Sequence, residues 1–132
     1  MLLTRASEYA LLSIDKIRKS DKPIGAEQLA NELNIPKSFL AKILQGLARE
    51  NILESKKGAY GGFILSKKLE EITIYTVITA SEGKKPAVFD CTQYADSCPN
   101  GAIGTCAISP FLGKFQQKID GFLENLTLKD IL

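Results

Sequence analysis

The stretch that most restricts how this chain can fold is residues 26–50, where two amphipathic segments flank a three-residue break. "AEQLANEL" places Leu29, Ala30 and Leu33 on one face of a helix. "NIP" then predicts a tight turn, because proline disfavours a helical residue before it but suits the first turn of a helix. A second apolar stripe follows in "PKSFLAKILQGLARE". Two short helices joined in this way predict a helix-turn-helix.

The second helix of this pair has two contrasting faces. Its apolar spacing predicts a buried stripe of Phe39, Leu40, Ile43, Leu44 and Leu47. The opposite face is small, polar and basic, without one acidic residue: Lys37, Ser38, Ala41, Lys42, Gln45 and Arg49. The second helix of a helix-turn-helix enters the major groove of DNA. Unrelated helical pairs share this pattern, so the residues that follow decide whether this pair is a DNA-binding helix-turn-helix or an ordinary pair of packed helices.

The next segment, "ILESKKGAYGGFILS", predicts two short strands around a glycine-containing turn. Its tip carries basic and aromatic side chains: Lys56, Lys57 and Tyr60. A basic hairpin directly after a helix-turn-helix is typical of a wing that meets phosphates or the minor groove. An ordinary surface hairpin is the alternative, but the order of elements and the charge favour DNA binding.

Charge and composition agree with a partner that is a polyanion. The net charge is only +2, but residues 1–68 carry 12 Lys and Arg against 7 Asp and Glu, and residues 69–132 carry 5 against 8. A hydrophobic fraction of 45% is enough for a globular core. The first residues lack the uninterrupted apolar region of a signal peptide, and no stretch approaches the roughly 18 apolar residues of a membrane span. We therefore expect a soluble cytoplasmic protein.

Three further helices are predicted. Apolar spacing indicates one from about residue 4 to residue 19. "TIYTVITASEG" is rich in β-branched residues but has helical spacing, with Thr73 as its cap and Gly83 at its end. The last helix begins at Ser109-Pro110.

The last helix carries a heptad seam. Its spacings of 4, 3, 4, 3 and 4 residues join Ile108, Leu112, Phe115, Ile119, Phe122 and Leu126, and Phe111 and Leu123 widen the apolar face. Packing on its own domain is possible, but the alternating spacing favours pairing with a second copy. The fold predicted is thus mainly α: a winged helix-turn-helix domain over 1–83, a cysteine-containing sensor loop over 84–107, and a dimerisation helix and tail over 108–132.

All three cysteines, Cys91, Cys98 and Cys106, lie in one stretch of 17 residues. They could be small core residues, since free cysteine is often buried. However, Cys91 follows Asp90, and Cys98 lies between Ser97 and Pro99. A functional loop is therefore favoured. Structural zinc fits poorly without histidine or a C-x-x-C pair. An enzyme is the least favoured class, because the sequence offers no histidine base, no phosphate-binding glycine motif and no nucleophile–base arrangement.

The residues carry a resemblance to a known family. "GAEQLANELNIPKSFLAKILQGLARENILESKKGAYGGFILS" resembles the winged helix of the Rrf-two (Rrf2) family of bacterial transcription regulators, most closely in S-x-x-G-x-x-G-G-F-x-L from Ser55 to Leu65. The likeness extends through "ITIYTVITASEG", the cysteine loop and the last helix. It implies a homodimer that binds double-stranded DNA. The sequence itself gives no sign of a membrane or a small-molecule substrate as partner.

The resemblance also implies an iron–sulfur cluster, [2Fe-2S] or [4Fe-4S], held by Cys91, Cys98 and Cys106, since thiolates suit such clusters. The spacing C-x6-C-x7-C is longer than the family's gaps of roughly five residues. The histidine that one branch uses three residues beyond the third cysteine is Ser109 here. Another branch uses an acidic residue near the start of the first helix of the partner subunit, which corresponds to Glu8. An exposed helix carboxylate is the alternative for Glu8.

The function expected is therefore a DNA-binding regulator, acting as a repressor, that senses iron, redox state or nitric oxide through the cluster. Lys37, Ser38, Lys42 and Gln45 are expected in the major groove, Lys57 and Tyr60 at the minor groove, and Arg5, Lys56 and Arg49 at phosphates. The alternatives are a cluster-free regulator that uses thiol oxidation or a partner protein, and, less favoured, a small zinc protein.

Overall fold

The computed structural model describes residues 3–89 and 106–132. The elements of these two ranges are, in chain order, α1 (Arg5–Arg18), α2 (Ala26–Leu33), α3 (Lys37–Arg49), β1 (Leu53–Lys56), β2 (Gly62–Leu65), a 3-10 helix (Leu69–Glu71), α4 (Ile74–Glu82), α5 (Ser109–Asn125) and α6 (Leu128–Ile131). The fold is mainly helical with a two-stranded wing, which confirms the predicted class.

The first four helices enclose one hydrophobic core. Ile14 of α1, Leu29 of α2, Leu44 of α3 and Val77 of α4 are completely buried in it. α3 also packs so closely on α4 that a Cβ at Gly46 would collide with the carbonyl oxygen of Ala80. The helix that carries the predicted DNA-contacting residues is therefore held directly against the helix that precedes the cysteine segment.

Phe39 differs from its prediction. Leu40, Ile43 and Leu44 are buried as expected, whereas the Phe39 side chain is 41% exposed. Its ring meets Tyr9 edge to face, with the ring centroids 5.7 Å apart. Phe39 lies at the border of the apolar stripe, where the neighbouring surface is the partly exposed Tyr9 of α1 rather than the core. The prediction that Phe39 belongs to the buried stripe was wrong.

The turn between α2 and α3 is built as the sequence indicates. Asn34 ends α2 in the left-handed conformation, with φ at 56°. The N–H of Ile35 then donates to the Ala30 carbonyl at 3.0 Å, and the Ile35 side chain enters the core. Asparagine tolerates this conformation better than most residues, so the chain reverses direction within three residues.

The wing is an antiparallel pair in which Leu53 lies opposite Leu65 and Lys56 opposite Gly62. It is attached to the helices through Ile24, whose carbonyl accepts from the Phe63 N–H at 2.8 Å and whose N–H donates to the Phe63 carbonyl at 3.2 Å. This bridge fixes the base of the wing to the segment between α1 and α2.

α4 is a helix despite its β-branched residues. The Thr73 hydroxyl accepts from the Thr76 N–H at 3.1 Å, and Gly83 ends the helix with φ at 73°. Both capping residues are those predicted from the sequence. Burial raises the pKa of Tyr75 on this helix above its ordinary value, and the Asp120 and Glu124 carboxylates of α5 raise it further.

The end of the chain returns to the winged helix. The Ile74 N–H donates to the Leu126 carbonyl at 2.8 Å, the Leu128 N–H donates to the Ile72 carbonyl at 2.9 Å, and Leu128 is fully buried in the common core. The apolar residues predicted to form one seam on α5 therefore fall into two groups, one packed on the chain's own core and one exposed. Leu123 packs in the core of its own chain, Ile119 and Leu126 pack against that core, and four apolar side chains stay exposed: Ile108, Phe111, Phe115 and Phe122.

Candidate DNA interface and cysteine segment

α3 presents the face predicted to meet DNA. Its exposed side chains include all five of the polar and basic residues chosen from the sequence: Lys37, Ser38, Lys42, Gln45 and Arg49. Lys37 pairs with Glu27 of α2, with Nζ and Oε2 3.3 Å apart. Within residues 3–89 and 106–132, Lys42 and Arg49 form no ion pair with any acidic side chain. This face can therefore donate hydrogen bonds and positive charge to a polyanion.

The wing tip extends the same chemistry. Tyr60 is 93% exposed, and Lys56 and Lys57 are exposed beside it in the chain. Lys56 pairs with Glu54 on β1 at 2.9 Å, while Lys57 has no ion pair in the described part of the chain. An exposed tyrosine next to an unneutralised lysine suits contact with a phosphate backbone or a groove.

Two residues assigned different roles lie together at the start of α1. The Arg5 guanidinium, a predicted phosphate contact, pairs with the Glu8 carboxylate, a predicted cluster ligand, at 2.9 Å. Both side chains face solvent, with 76% and 48% of their surface exposed. A metal at Glu8 would therefore compete with Arg5 for the same carboxylate.

Sequence reasoning missed Glu82, which caps α1 from the end of α4. One carboxylate oxygen of Glu82 accepts from the Thr4 N–H at 3.2 Å, the Thr4 hydroxyl at 2.5 Å and the buried Ser7 hydroxyl at 2.7 Å. A carboxylate at this place satisfies a free N–H and complements the positive end of the helix dipole. The start of α1 is thereby attached to the end of α4, from which the chain continues into the cysteine segment.

One of the three cysteines can be described. Cys106 has a half-buried free thiol and lies just before α5. Its backbone carbonyl accepts a hydrogen bond from the N–H of Ser109, the first residue of α5, at 3.3 Å. Cys91 and Cys98 lie outside the described residues. No group of three or more His, Cys, Asp or Glu side chains that could hold a metal occurs within the described ranges. Three thiolates and a carboxylate are nevertheless a donor set whose chemistry fits iron.

None of the helices in the described ranges is long and apolar enough to cross a membrane.

Comparisons with known proteins agree with this architecture. The chain is 27% identical to a putative HTH-type transcriptional regulator of Aquifex aeolicus, over 100% of this chain and 92% of that protein. It is 30% identical to the HTH-type transcriptional regulator NsrR of Halalkalibacterium halodurans, over 100% of this chain and 90% of that protein. These relatives are regulators rather than enzymes, as the sequence predicted.

The fold also matches a solved structure. CymR, described as the global cysteine regulator of Bacillus subtilis, superimposes with a TM-score of 0.68 at 19% identity, over 99% of this chain and 95% of that one. The family model described as "Rrf2: Iron-dependent Transcriptional regulator" matches residues 3–132. With a matching model over nearly its whole length, the chain belongs to the Rrf2 family of transcriptional regulators.

Proposed function

We propose that this regulator reads its operator with α3 in the major groove and with the wing on the adjacent backbone and minor groove. The observation that carries this proposal is the exposed face of α3, which lacks acidic residues and includes Lys42 and Arg49, neither of which pairs with an acid in the described ranges. Lys37, Ser38, Lys42 and Gln45 would contact bases, and Lys57 and Tyr60 the minor groove. Arg5, Lys56 and Arg49 would contact phosphates.

The operator follows from the assembly that we propose. The exposed apolar residues of α5 would pair two chains about a two-fold axis, so that the site is a pseudo-palindrome with half-sites about 34–36 Å apart. Selection from random duplexes at moderate salt tests this directly. We expect enrichment of a two-fold-symmetric sequence, and equal binding to all duplexes would contradict the proposal. A DNA partner also implies a cytoplasmic protein.

We further propose that Cys91, Cys98 and Cys106 hold an iron–sulfur cluster and that Glu8 of the partner subunit supplies the fourth ligand. The support is the clustering of every thiol in one segment, the absence of histidine from the chain, and a family described as iron-dependent. The cluster would supply a centre whose loss or oxidation changes how the segment packs, and iron, redox state or nitric oxide would be the signal.

Iron and sulfide analysis of protein purified without oxygen tests the cluster. We expect stoichiometric iron and sulfide with a visible absorption band that any single Cys→Ala substitution abolishes. Protein made with iron supplied that carries neither element would contradict the proposal.

The Glu8 ligand needs its own control, because Glu8 also pairs with Arg5. Glu8→Ala should give a cluster that assembles but decays faster in air, since three thiolates still hold it. Arg5→Ala breaks the same ion pair but keeps the carboxylate and removes its competitor, so its cluster should decay no faster than that of the parent. Equal decay in Glu8→Ala and the parent would remove Glu8 from the ligand set.

A thiol switch without a cluster is the second candidate. The observation in its favour is that Cys106 is a free, partly accessible thiol three residues before α5, where oxidation would act beside the start of that helix. A regulator of this kind would bind DNA without iron, and its affinity would respond to peroxide. DNA binding by iron-free protein before and after oxidation distinguishes the two candidates.

A further inference from the structure

The side chain of Gln116 on α5 forms hydrogen bonds to the backbone of residues 86–88, which leads into the cysteine segment, and we call this contact the polar clamp. Its Oε1 accepts from the Val88 N–H at 2.9 Å, and its Nε2 donates to the Pro86 carbonyl at 3.0 Å. The same Nε2 donates to the Asp120 carboxylate, one helical turn further along, at 2.8 Å. One amide group thus uses its acceptor and both its donors.

These three partners, all in the described ranges, define the orientation of the amide. A carbonyl and a carboxylate only accept hydrogen bonds, and a backbone N–H only donates. The Pro86 carbonyl and Asp120 therefore both require the amide nitrogen on their side, and Val88 requires the oxygen on its side. Asp120 holds the amide in the orientation that fits the backbone of residues 86–88.

An apolar contact supports the same attachment. Pro86 is buried, and the ring of Phe89 packs against Phe115, the residue before Gln116, with the ring centroids 5.8 Å apart. Residues 86–89 are therefore docked on α5 by a polar clamp and an aromatic pair. At the other end of the segment, Cys106 is joined to α5 through its own backbone.

We propose that Gln116 is a positioning residue that fixes residues 86–88 on α5, so that the segment carrying Cys91 and Cys98 starts and ends on the same helix. This inference rests on the proposed sensor role of the cysteines. Cys91 follows Phe89 by two residues, so a fixed 86–88 backbone restricts the positions that its thiol can reach relative to Cys106. The restriction holds for a cluster and for a thiol switch alike.

The test compares Gln116→Ala with Gln117→Ala, which removes the same atoms from an exposed neighbouring position of α5. Alanine at residue 116 removes the acceptor of the Val88 N–H and the donor to the Pro86 carbonyl. In reduced, metal-free protein we expect hydrogen exchange of the Val88 amide to rise roughly fivefold or more in Gln116→Ala. Alkylation of Cys91 by N-ethylmaleimide should accelerate with it, while Cys106 keeps its parent rate. Gln117→Ala should match the parent in all three measurements.

Any one of three results would overturn the inference. Unchanged Val88 exchange would mean that the clamp does not form in solution. Faster Val88 exchange with an unchanged Cys91 rate would mean that the clamp does not position Cys91, and equal acceleration of Cys91 and Cys106 would indicate general destabilisation instead. Because these measurements need neither iron nor DNA, absence of a cluster in the parent would contradict the proposed cofactor and leave this test intact.

Discussion

At the scale of single residues, two glycines of the wing share a positive φ angle but not an environment. Gly58 has φ at 107° and open space where a Cβ would project, whereas Gly62 has φ at 148° and a Cβ there would lie 2.5 Å from the Ile24 carbonyl carbon. Gly58→Ala should therefore cost only backbone strain, about 1 kcal/mol. Gly62→Ala should cost about 2–4 kcal/mol, because it also separates β2 from Ile24.

Urea unfolding of the two variants measures this difference. Equal losses of unfolding free energy would show that the contact between β2 and Ile24 contributes nothing beyond the strain of a positive φ angle. The glycine-rich turn could be predicted from the sequence, but the reason for Gly62 could not, since Ile24 lies far earlier in the chain.

Lys57 allows a second prediction at this scale. It is exposed at the wing and has no ion pair in the described ranges, so a phosphate contact would release counterions without first breaking a salt bridge. Lys57→Ala should weaken operator binding and reduce the slope of log K against log salt by about 0.9. Lys118→Ala, an exposed lysine on α5, serves as control. A salt slope identical to that of the parent would exclude Lys57 from the phosphate contacts.

At the scale of elements, local signals predicted five of the α-helices in the described ranges and the wing, but not the 3-10 helix or α6. Apolar spacing located α1, α2 and α3, and Thr73 and Gly83 marked both ends of α4 correctly. Spacing could not determine what lies against each face. Phe39 fits the apolar stripe by its position yet meets Tyr9 at the surface, and Leu123 fits a dimer seam yet packs in its own core.

The cap of α1 could not be predicted from local sequence either, because Glu82 lies far along the chain from Thr4 and Ser7. This cap gives a prediction for α1. Glu82→Ala removes three hydrogen bonds to Thr4 and Ser7 and should lower the unfolding free energy by about 1–3 kcal/mol. Glu82→Gln keeps an acceptor oxygen without the charge and should lose less. Glu70→Ala, at an exposed position of the 3-10 helix, is the control. Thermal unfolding in which Glu82→Ala matches Glu70→Ala would contradict a capping role.

At the scale of the whole molecule, the two ends of the described chain meet the same core. Leu128 and Leu123 are buried with Ile14, and the strand-like pairing of residues 72–74 with 126–128 fastens the end of α5 beside the start of α4. The cysteine segment thus connects two helices that are already joined at their opposite ends. Sequence patterns predicted the candidate DNA residues and the thiol cluster, but not these connections, which depend on contacts between distant parts of the chain.

The last prediction concerns the surface that this arrangement leaves uncovered. Phe122 is 63% exposed and Phe111 60% exposed on α5, so neither is needed to complete the core of one chain. If this face pairs two copies, Phe122→Asp should leave the circular dichroism of the protein unchanged and weaken self-association about a hundredfold or more, since loss of a buried phenylalanine costs about 3–5 kcal/mol. Gln117→Asp, an exposed position of α5 outside the apolar set, should leave the dimer intact. Sedimentation velocity at several concentrations distinguishes monomer from dimer. A folded Phe122→Asp protein that dimerises as tightly as Gln117→Asp would show that the chains associate through another surface.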